Sequence, residues 1–167
     1  MLGLLLIVRG PWMLVKTITA FTVAHSITLG LATLGVVHVP PRPVEAAIAL
    51  SIVFLAAEII HGQQGREGLA FRFPWVVAFA FGLLHGFGFA GALSEVSLPP
   101  QEIPVALLFF NIGVEIGQLI FVLGVVAIMW LFNKFKTIEF RWAEAVTAYG
   151  IGTLAMFWFI ERFTQMI

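Results

Sequence analysis

Long apolar runs recur along the whole chain, and short polar connections separate them. Five runs approach or exceed the roughly 20 residues that an α-helix needs to cross a bilayer core. They cover about residues 14–37, 44–61, 74–96, 104–132 and 143–160. The pattern predicts an all-α fold, a polytopic bundle of about five transmembrane helices that forms a single domain over residues 1–167.

Proline and glycine mark the connections between the runs. Residues 39–43 (VPPRP), 62–68 (GQQGREG) and 98–104 (LPPQEIP) carry these residues, which favour turns over helix interiors. The opening residues, MLGLLLIVRG, are too short to span a membrane, and no charged stretch precedes them as it would in a signal peptide. We interpret them as the last turns of a helix, a short N-terminal helical remnant.

Composition places the chain in lipid and limits its chemistry. Of the 167 residues, 60% are hydrophobic and 11% are charged, whereas about a quarter of a soluble domain is charged. The formal net charge is zero, so the chain has no basic surface for nucleic acid, and the predicted partner is the bilayer. Cysteine is absent, so any metal must bind to imidazole, carboxylate, amide or hydroxyl groups.

Cationic side chains fall mainly on one side of the predicted bundle. Seven lie on that side and two on the other: Arg9, Lys16, Arg66, Arg72, Lys134, Lys136 and Arg141 against Arg42 and Arg162. Because cytoplasmic loops are enriched in Lys and Arg, we expect the connections near residues 62–73 and 133–142 to be cytoplasmic. The C-terminus then faces outward.

Three ionisable residues lie at a common depth. His25, His85 and Glu115 each follow the start of their own run by about 11 residues, which places them about 16 Å from a membrane surface. The hydrocarbon core is about 30 Å thick, so all three are expected near its midplane. Ionisable groups at that depth are costly and usually functional.

Further polar residues share faces with these groups. Asn111, Glu115 and Gln118 repeat at four and three positions on one helical face, and Thr22 and Ser26 repeat next to His25. Inward-facing polar side chains on three helices favour a binding site, although hydrogen bonds that only hold helices together remain an alternative.

Small residues predict where helices approach closely. Gly82 and Gly86 flank His85, and Gly113 and Gly117 form a second pair at four-residue spacing. Glycine pairs of this kind let helix backbones pack against each other in lipid. We expect both pairs to lie at helix contacts.

Two acidic residues near helix ends have open interpretations. Glu45 near the start of the second run either complements the helix dipole or forms the outer mouth of a pathway. Glu58 and His61, three residues apart at the other end of that run, are expected to form a solvated pair.

Four blocks of the sequence resemble the HupE/UreJ family of bacterial membrane proteins. They are FTVAHSITL at 21–29, VEAAIALSI at 44–52, FGLLHGFGFA at 81–90 and FNIGVEIGQ at 110–118. The resemblance implies a multi-pass protein of the bacterial inner membrane that acts as a nickel or cobalt permease, or as an accessory protein of nickel enzymes such as hydrogenase and urease. It implies no enzymatic activity of its own.

The resemblance also suggests site residues. His25, His85 and Glu115 match the polar motif positions of the family, and Asn111 and Glu45 lie in the adjoining blocks. We therefore predict a bound and transported divalent transition metal, nickel first and cobalt or zinc as alternatives, since imidazole suits these ions. The predicted ligands are His25, His85, Glu115 and Asn111, and the pathway candidates are Glu45, Thr22, Ser26 and Gln118.

One family feature is missing from the sequence. Family members generally carry an earlier helix with a Gly-x-Asp-His type motif, and no such residues precede Phe21. We expect the DNA upstream, read in frame, to encode an Asp-His pair within about ten to twenty codons, the distance of one transmembrane helix. Either the start codon is placed too late or the chain is a truncated member, and an unrelated sequence or an in-frame stop codon there would contradict this expectation.

Two other functions are compatible with the same residues. In an intramembrane hydrolase, His25 and His85 would bind zinc and Glu115 would act as a general base. In an accessory subunit, the polar residues would only hold helices together. Under either function, a homo-oligomer or a partner in metalloenzyme maturation is a further expected partner.

Overall fold

The computed structural model describes the backbone of residues 1–94, 99, 101–135 and 140–167, and the side chains of residues 1–90, 99, 101–131 and 142–167. This part of the chain is organised as helices and connecting turns. In chain order the helices are α1 (Leu2–Ile7), α2 (Pro11–Thr33), α3 (Pro41–Gln63), α4 (Leu69–Arg72), α5 (Pro74–Ser94), α6 (Ile103–Phe135) and α7 (Phe140–Thr164).

Four of these helices are long and apolar enough to cross a membrane. They are α2, α3, residues Ile103–Leu131 of α6 and Trp142–Thr164 of α7. A helix of 23 residues is about 35 Å long, enough for a hydrocarbon core of about 30 Å. α5 adds a shorter apolar stretch, Pro74–Ala90, within the part whose side chains are described. The predicted α-helical membrane bundle is confirmed, and so is the short N-terminal helix.

The observed helix ends differ from the predicted runs by a few residues. α2 begins at Pro11 and ends at Thr33, about one turn earlier at each end than the apolar run. Val96, the predicted end of the third run, and Lys136 lie outside the described residues, as do the side chains of Lys134 and Arg141.

Local sequence explains where the long helices start and stop. Proline is the first residue of α2, α3 and α5, where its missing N–H costs no helical hydrogen bond. Gly35 and Gly65 follow the ends of α2 and α3 with φ of 73° and 80°. Each donates its N–H to a carbonyl of the last turn, and the next residue donates to a carbonyl one position earlier. This is the Schellman arrangement, which glycine adopts without strain.

The helices pack as an open row in the order α6, α2, α5, α3 and α7. We name the two ends of the bundle after exposed histidines: the His38 end holds the α2–α3 connection, and the His61 end holds the α3–α4 connection. α1 and α4 pack at the His61 end, where Leu4, Ile7, Ile59 and Ala70 belong to one buried apolar cluster. The row therefore leaves large surfaces of α6 and α7 for lipid.

The closest helix contact is between α2 and α5, which run in the same direction. A Cβ on Gly82 would overlap the carbonyl oxygen of Phe21, and one on Gly86 would overlap the carbonyl oxygen of His25. The backbones meet here because these two positions lack side chains. The expectation that the glycines beside His85 mark a helix contact is confirmed.

The second glycine pair lies on an open surface. A Cβ on Gly113 or on Gly117 would meet no atom within 4 Å. Among the described residues, α6 packs mainly on α2, and it does so through a different face. The expectation that Gly113 and Gly117 lie at a contact within the bundle is wrong, because small-residue spacing does not reveal which side of a helix faces protein.

Candidate functional site

His25 lies in the middle of α2 and is almost fully buried, with 2% of its surface exposed. Its Nδ1 atom is 3.2 Å from Oδ1 of Asn111 on α6. The sequence placed these two residues at similar depths, and in the structure they meet across the α2–α6 contact. The hydrogen bond is a direct polar link between these helices.

The amide of Asn111 determines which nitrogen of His25 carries the proton. Its Nδ2 atom donates to the carbonyl oxygen of Leu107, 2.8 Å away. The amide oxygen therefore faces His25 and can only accept. Nδ1 of His25 must be the donor, so Nε2 keeps a free lone pair when the ring is neutral.

His85 on α5 has the same proton arrangement for a different reason. Its Nδ1 atom is 2.7 Å from the carbonyl oxygen of Phe81, one turn earlier in the same helix. A carbonyl oxygen only accepts, so Nδ1 carries the proton here too. The described residues provide no other hydrogen bond to either ring, and both imidazoles keep Nε2 available.

Phenylalanine rings contact both imidazoles, three of them at His25 and one at His85. The ring of Phe21 lies 5.3 Å from that of His85 and 6.1 Å from that of His25, measured between centroids. Phe89 and Phe110 flank His25 at 5.6 and 6.2 Å. Phe21 thus contacts both histidines, and this apolar shell strengthens any electrostatic interaction inside it.

Glu115 is partly buried one turn beyond Asn111 on α6. Within residues 1–90, 99, 101–131 and 142–167, no three His, Asp or Glu side chains stand close enough together to hold one metal ion. The structure brings His25 to Asn111 and both imidazoles to Phe21. The full ligand set with Glu115 stays a prediction.

Two of the four pathway candidates carry unsatisfied polar atoms. Oγ1 of Thr22 and Oε1 of Gln118 are buried without a hydrogen-bond partner in the described structure. Ser26 instead donates to the carbonyl oxygen of Thr22 within its own helix, at 2.7 Å. Buried orphan oxygens are uncommon in proteins and favour an additional ligand, water or ion nearby.

Glu45 lies near the start of α3 at the His38 end, away from His25 and His85 in the middle of α2 and α5. Its Oε2 atom is 2.5 Å from Nε of Arg162 on α7, in an ion pair that is partly exposed. The helix-dipole interpretation does not account for this pairing, which joins the two helices.

Glu58 corrects an expectation from the sequence. It is buried rather than solvated, and its Oε2 atom accepts the N–H of Ala70 at 2.8 Å. The first turn of α4 offers free N–H groups, which attract a carboxylate. Glu58 therefore holds the α3–α4 connection in place, whereas His61 remains exposed.

Sequence reasoning missed the aromatic shell. Phe21 precedes His25 by four residues, and Phe81 and Phe89 lie four residues before and after His85. Four-residue spacing places side chains on one helical face, so the signal was present. It was hidden because phenylalanine is common throughout the chain, with 17 residues.

Fold and site together define a class: a polytopic α-helical membrane protein with one buried imidazole, one partly buried imidazole and a carboxamide in the middle of its bundle. A family model described as HupE / UreJ protein matches residues 1–162. The chain belongs to the HupE/UreJ family, a transporter-type family associated with the uptake of nickel and cobalt. No curated protein and no solved structure matches it.

Proposed function

We propose that this protein binds a divalent transition-metal ion in the middle of its bundle and transports it across the bacterial inner membrane. Nickel is the first choice, and cobalt or zinc are the alternatives, since imidazole binds all three. The observation that carries the proposal is the proton arrangement of His25 and His85. Each donates its Nδ1–H to an oxygen and keeps Nε2 free.

This arrangement is the one that metal-binding histidines generally adopt. A ligating imidazole usually donates its second N–H to a carboxylate, a carbonyl or water, which orients the ring and raises the basicity of the ligating nitrogen. Here an amide oxygen and a backbone carbonyl serve in that role. Asn111 then acts on the metal through His25 or, after a rotation of its amide, as an oxygen ligand.

A purely structural role fits His85 poorly. Its hydrogen bond stays within α5, so the bond does not join two helices. Helix contact at this level comes instead from the glycines beside it. A large polar side chain that adds no polar link between helices costs desolvation, and this favours a ligand-binding role.

The remaining predicted residues provide charge and polar surface. Among the described residues, Glu115 is the one acidic residue in the middle of a spanning helix, and a carboxylate offsets part of the charge of a dication in lipid. Thr22 and Gln118 offer unsatisfied oxygens nearby. A site with a small number of protein ligands also suits transport, because an ion that binds too tightly is not released.

Metal content and uptake test the proposal. We expect purified full-length protein in lipid discs to bind Ni²⁺, and His25→Ala and His85→Ala each to lose about tenfold or more in affinity. Nickel uptake into vesicles should fall in parallel. His61→Ala is the matched control, because it removes an exposed imidazole at the end of the bundle.

His85→Gln separates metal binding from helix packing. Glutamine keeps an N–H donor but loses the ligating nitrogen, so metal binding should fall while the free energy of unfolding changes by less than about 2 kcal/mol. Equal nickel binding by the wild type and by the His25 and His85 variants would refute the proposal.

A further inference from the structure

A cavity of about 390 Å³ lies at the His38 end, and neither His25 nor His85 lines it. Its walls come from the end of α2, the α2–α3 connection, the start of α3 and the region of α5 around Phe87. Three of its lining side chains are polar: Thr33, His38 and Glu45. One water occupies about 30 Å³ of liquid, so a cation with part of its water shell fits.

The cavity contains polar groups that are not fully paired. Oγ1 of Thr33 is buried and has no hydrogen-bond partner in the described part of the chain. His38, an exposed residue outside the helices, lines the same cavity. A hydroxyl, an imidazole and a carboxylate are together suitable for a hydrated transition-metal dication.

Glu45 lines this cavity and also forms an ion pair with the side chain of Arg162. Nε of Arg162 lies 2.5 Å from its Oε2 atom, and the two side chains are 34% and 46% exposed. Arg42 links α3 to the residue that follows α7, since its Nη1 donates to the carbonyl oxygen of Gln165 at 2.6 Å. A partly exposed ion pair is weak and screened by salt, so another cation can compete for the carboxylate.

We propose that this cavity captures the cation from the His38 side of the membrane, and that Arg162 is an exchangeable counter-ion of Glu45. A carboxylate neutralised by an arginine attracts a dication poorly. Binding of the metal to Glu45 and His38 therefore requires Arg162 to give up the carboxylate, and departure of the metal restores the ion pair. The proposal rests on the proposed function, because the captured ion is the transported one.

A spin label detects this site without any transport. The chain has no cysteine, so Val36→Cys places a single nitroxide on an exposed residue beside the cavity. Titration of full-length protein in lipid discs with Ni²⁺, a paramagnetic ion, should broaden the label's spectrum. A label at Gln64→Cys, exposed at the His61 end, should broaden much less at the same concentrations.

Variants of Glu45 and Arg162 distinguish exchange of Arg162 for the metal ion from an ion pair that only stabilises the structure. Glu45→Gln and Arg162→Gln both break the Glu45–Arg162 ion pair, so a purely structural role of that pair changes nickel binding in the same direction in both. Arg162→Gln also breaks the ion pair of Arg162 with Glu161, at 3.2 Å. Exchange instead weakens the nickel binding that the Val36 label detects about tenfold or more in Glu45→Gln and tightens it about two- to fivefold in Arg162→Gln, the range expected for one exposed ion pair. His38→Gln should also weaken binding.

Arg42→Gln is the matched control for net charge. It removes a cation at the same end whose partner is a backbone carbonyl, so it should not tighten binding. In the double variant, removal of Arg162 should bring no gain once Glu45 is Gln. Equal tightening in Arg42→Gln and Arg162→Gln, or a gain in the double variant, would overturn the proposal.

The two proposals fail separately. If His25→Ala and His85→Ala abolish uptake but the Val36 label detects no nickel, the capture site is refuted and the central site stands. If the label responds as expected but those variants transport normally, the central site is refuted and the capture site stands.

Discussion

The side chain of Asn111 influences the candidate site through the proton on His25. Its amide is oriented by Leu107, and its oxygen holds the proton of His25 on Nδ1. Nε2 is thereby kept free on a ring that phenylalanines enclose on several sides. A change of one amide therefore alters the chemistry of a neighbouring residue without removing any proposed nitrogen ligand.

Asn111→Leu tests this dependence. Without the acceptor, the proton of His25 is no longer held on Nδ1. We expect nickel affinity to fall about 10- to 100-fold, as when partners of metal-bound histidines are removed. Asn111→Asp keeps an acceptor and adds a negative charge, so it should bind nickel at least as tightly as the wild type. The measurement is nickel affinity in lipid discs, with nitrogen NMR shifts of His25 as the record of the tautomer. Leu and Asp variants with equal affinity would contradict this role.

The helices differ in how firmly they are held. α2 and α5 touch through glycines along a close backbone contact. α6 instead packs mainly on α2, where Phe110 and Asn111 contact His25. The two imidazoles therefore belong to one closely packed helix pair, whereas Glu115 belongs to a helix with fewer neighbours in the described structure.

Gly86→Ala should destabilise the α2–α5 pair. The added methyl would overlap the carbonyl oxygen of His25 and Oγ1 of Thr28, so the helices must separate. Forcing extra volume into a close contact typically costs about 1–3 kcal/mol, measurable as a lower unfolding temperature in detergent.

Gly113→Ala is the matched control for this prediction. Its methyl enters open space on α6, and alanine is the better helix former by up to about 1 kcal/mol, so stability should be unchanged or slightly higher. Equal losses in Gly86→Ala and Gly113→Ala would show that the close contact does not govern stability.

The sequence predicted where the helices lie along the chain better than which face of each helix contacts its neighbours. Counting along each run placed His25 and His85 near mid-helix, and glycines beside His85 correctly marked a contact. The same rule failed for Gly113 and Gly117, because α6 carries hydrophobic side chains on all its sides. Lipid is as apolar as a protein interior, so hydrophobicity does not reveal which side of this helix faces protein. The links of Glu45 to Arg162 and of Glu58 to Ala70 join distant segments, which no local pattern records.

At the scale of the molecule, the two ends of the bundle differ in charge. Arg9 pairs with Glu67 at 3.0 Å, and the ammonium of Lys16 lies 4.2 Å from the ring of Trp75, both at the His61 end. Arg66 and Arg72 lie there as well, whereas Arg42 and Arg162 lie at the His38 end. The excess of cations supports a cytoplasmic His61 end.

Cysteine labelling tests this orientation on an otherwise cysteine-free chain. A membrane-impermeant maleimide should label Val36→Cys in intact cells and Gln64→Cys only after permeabilisation, because both residues are exposed at opposite ends. Labelling of Gln64→Cys alone in intact cells would mean that the protein has the reverse orientation.

The uneven packing of α2, α5 and α6 has a consequence for how an ion would be released. With glycine contacts fixing α2 on α5, the separation of the two ring nitrogens changes little when other helices shift. A tilt of α6 alone would carry its carboxylate and carboxamide away while that separation stays constant. In the proposed site, charge compensation would thus come from a different helix than the two ring nitrogens, and a small displacement of α6 would weaken the hold on a dication.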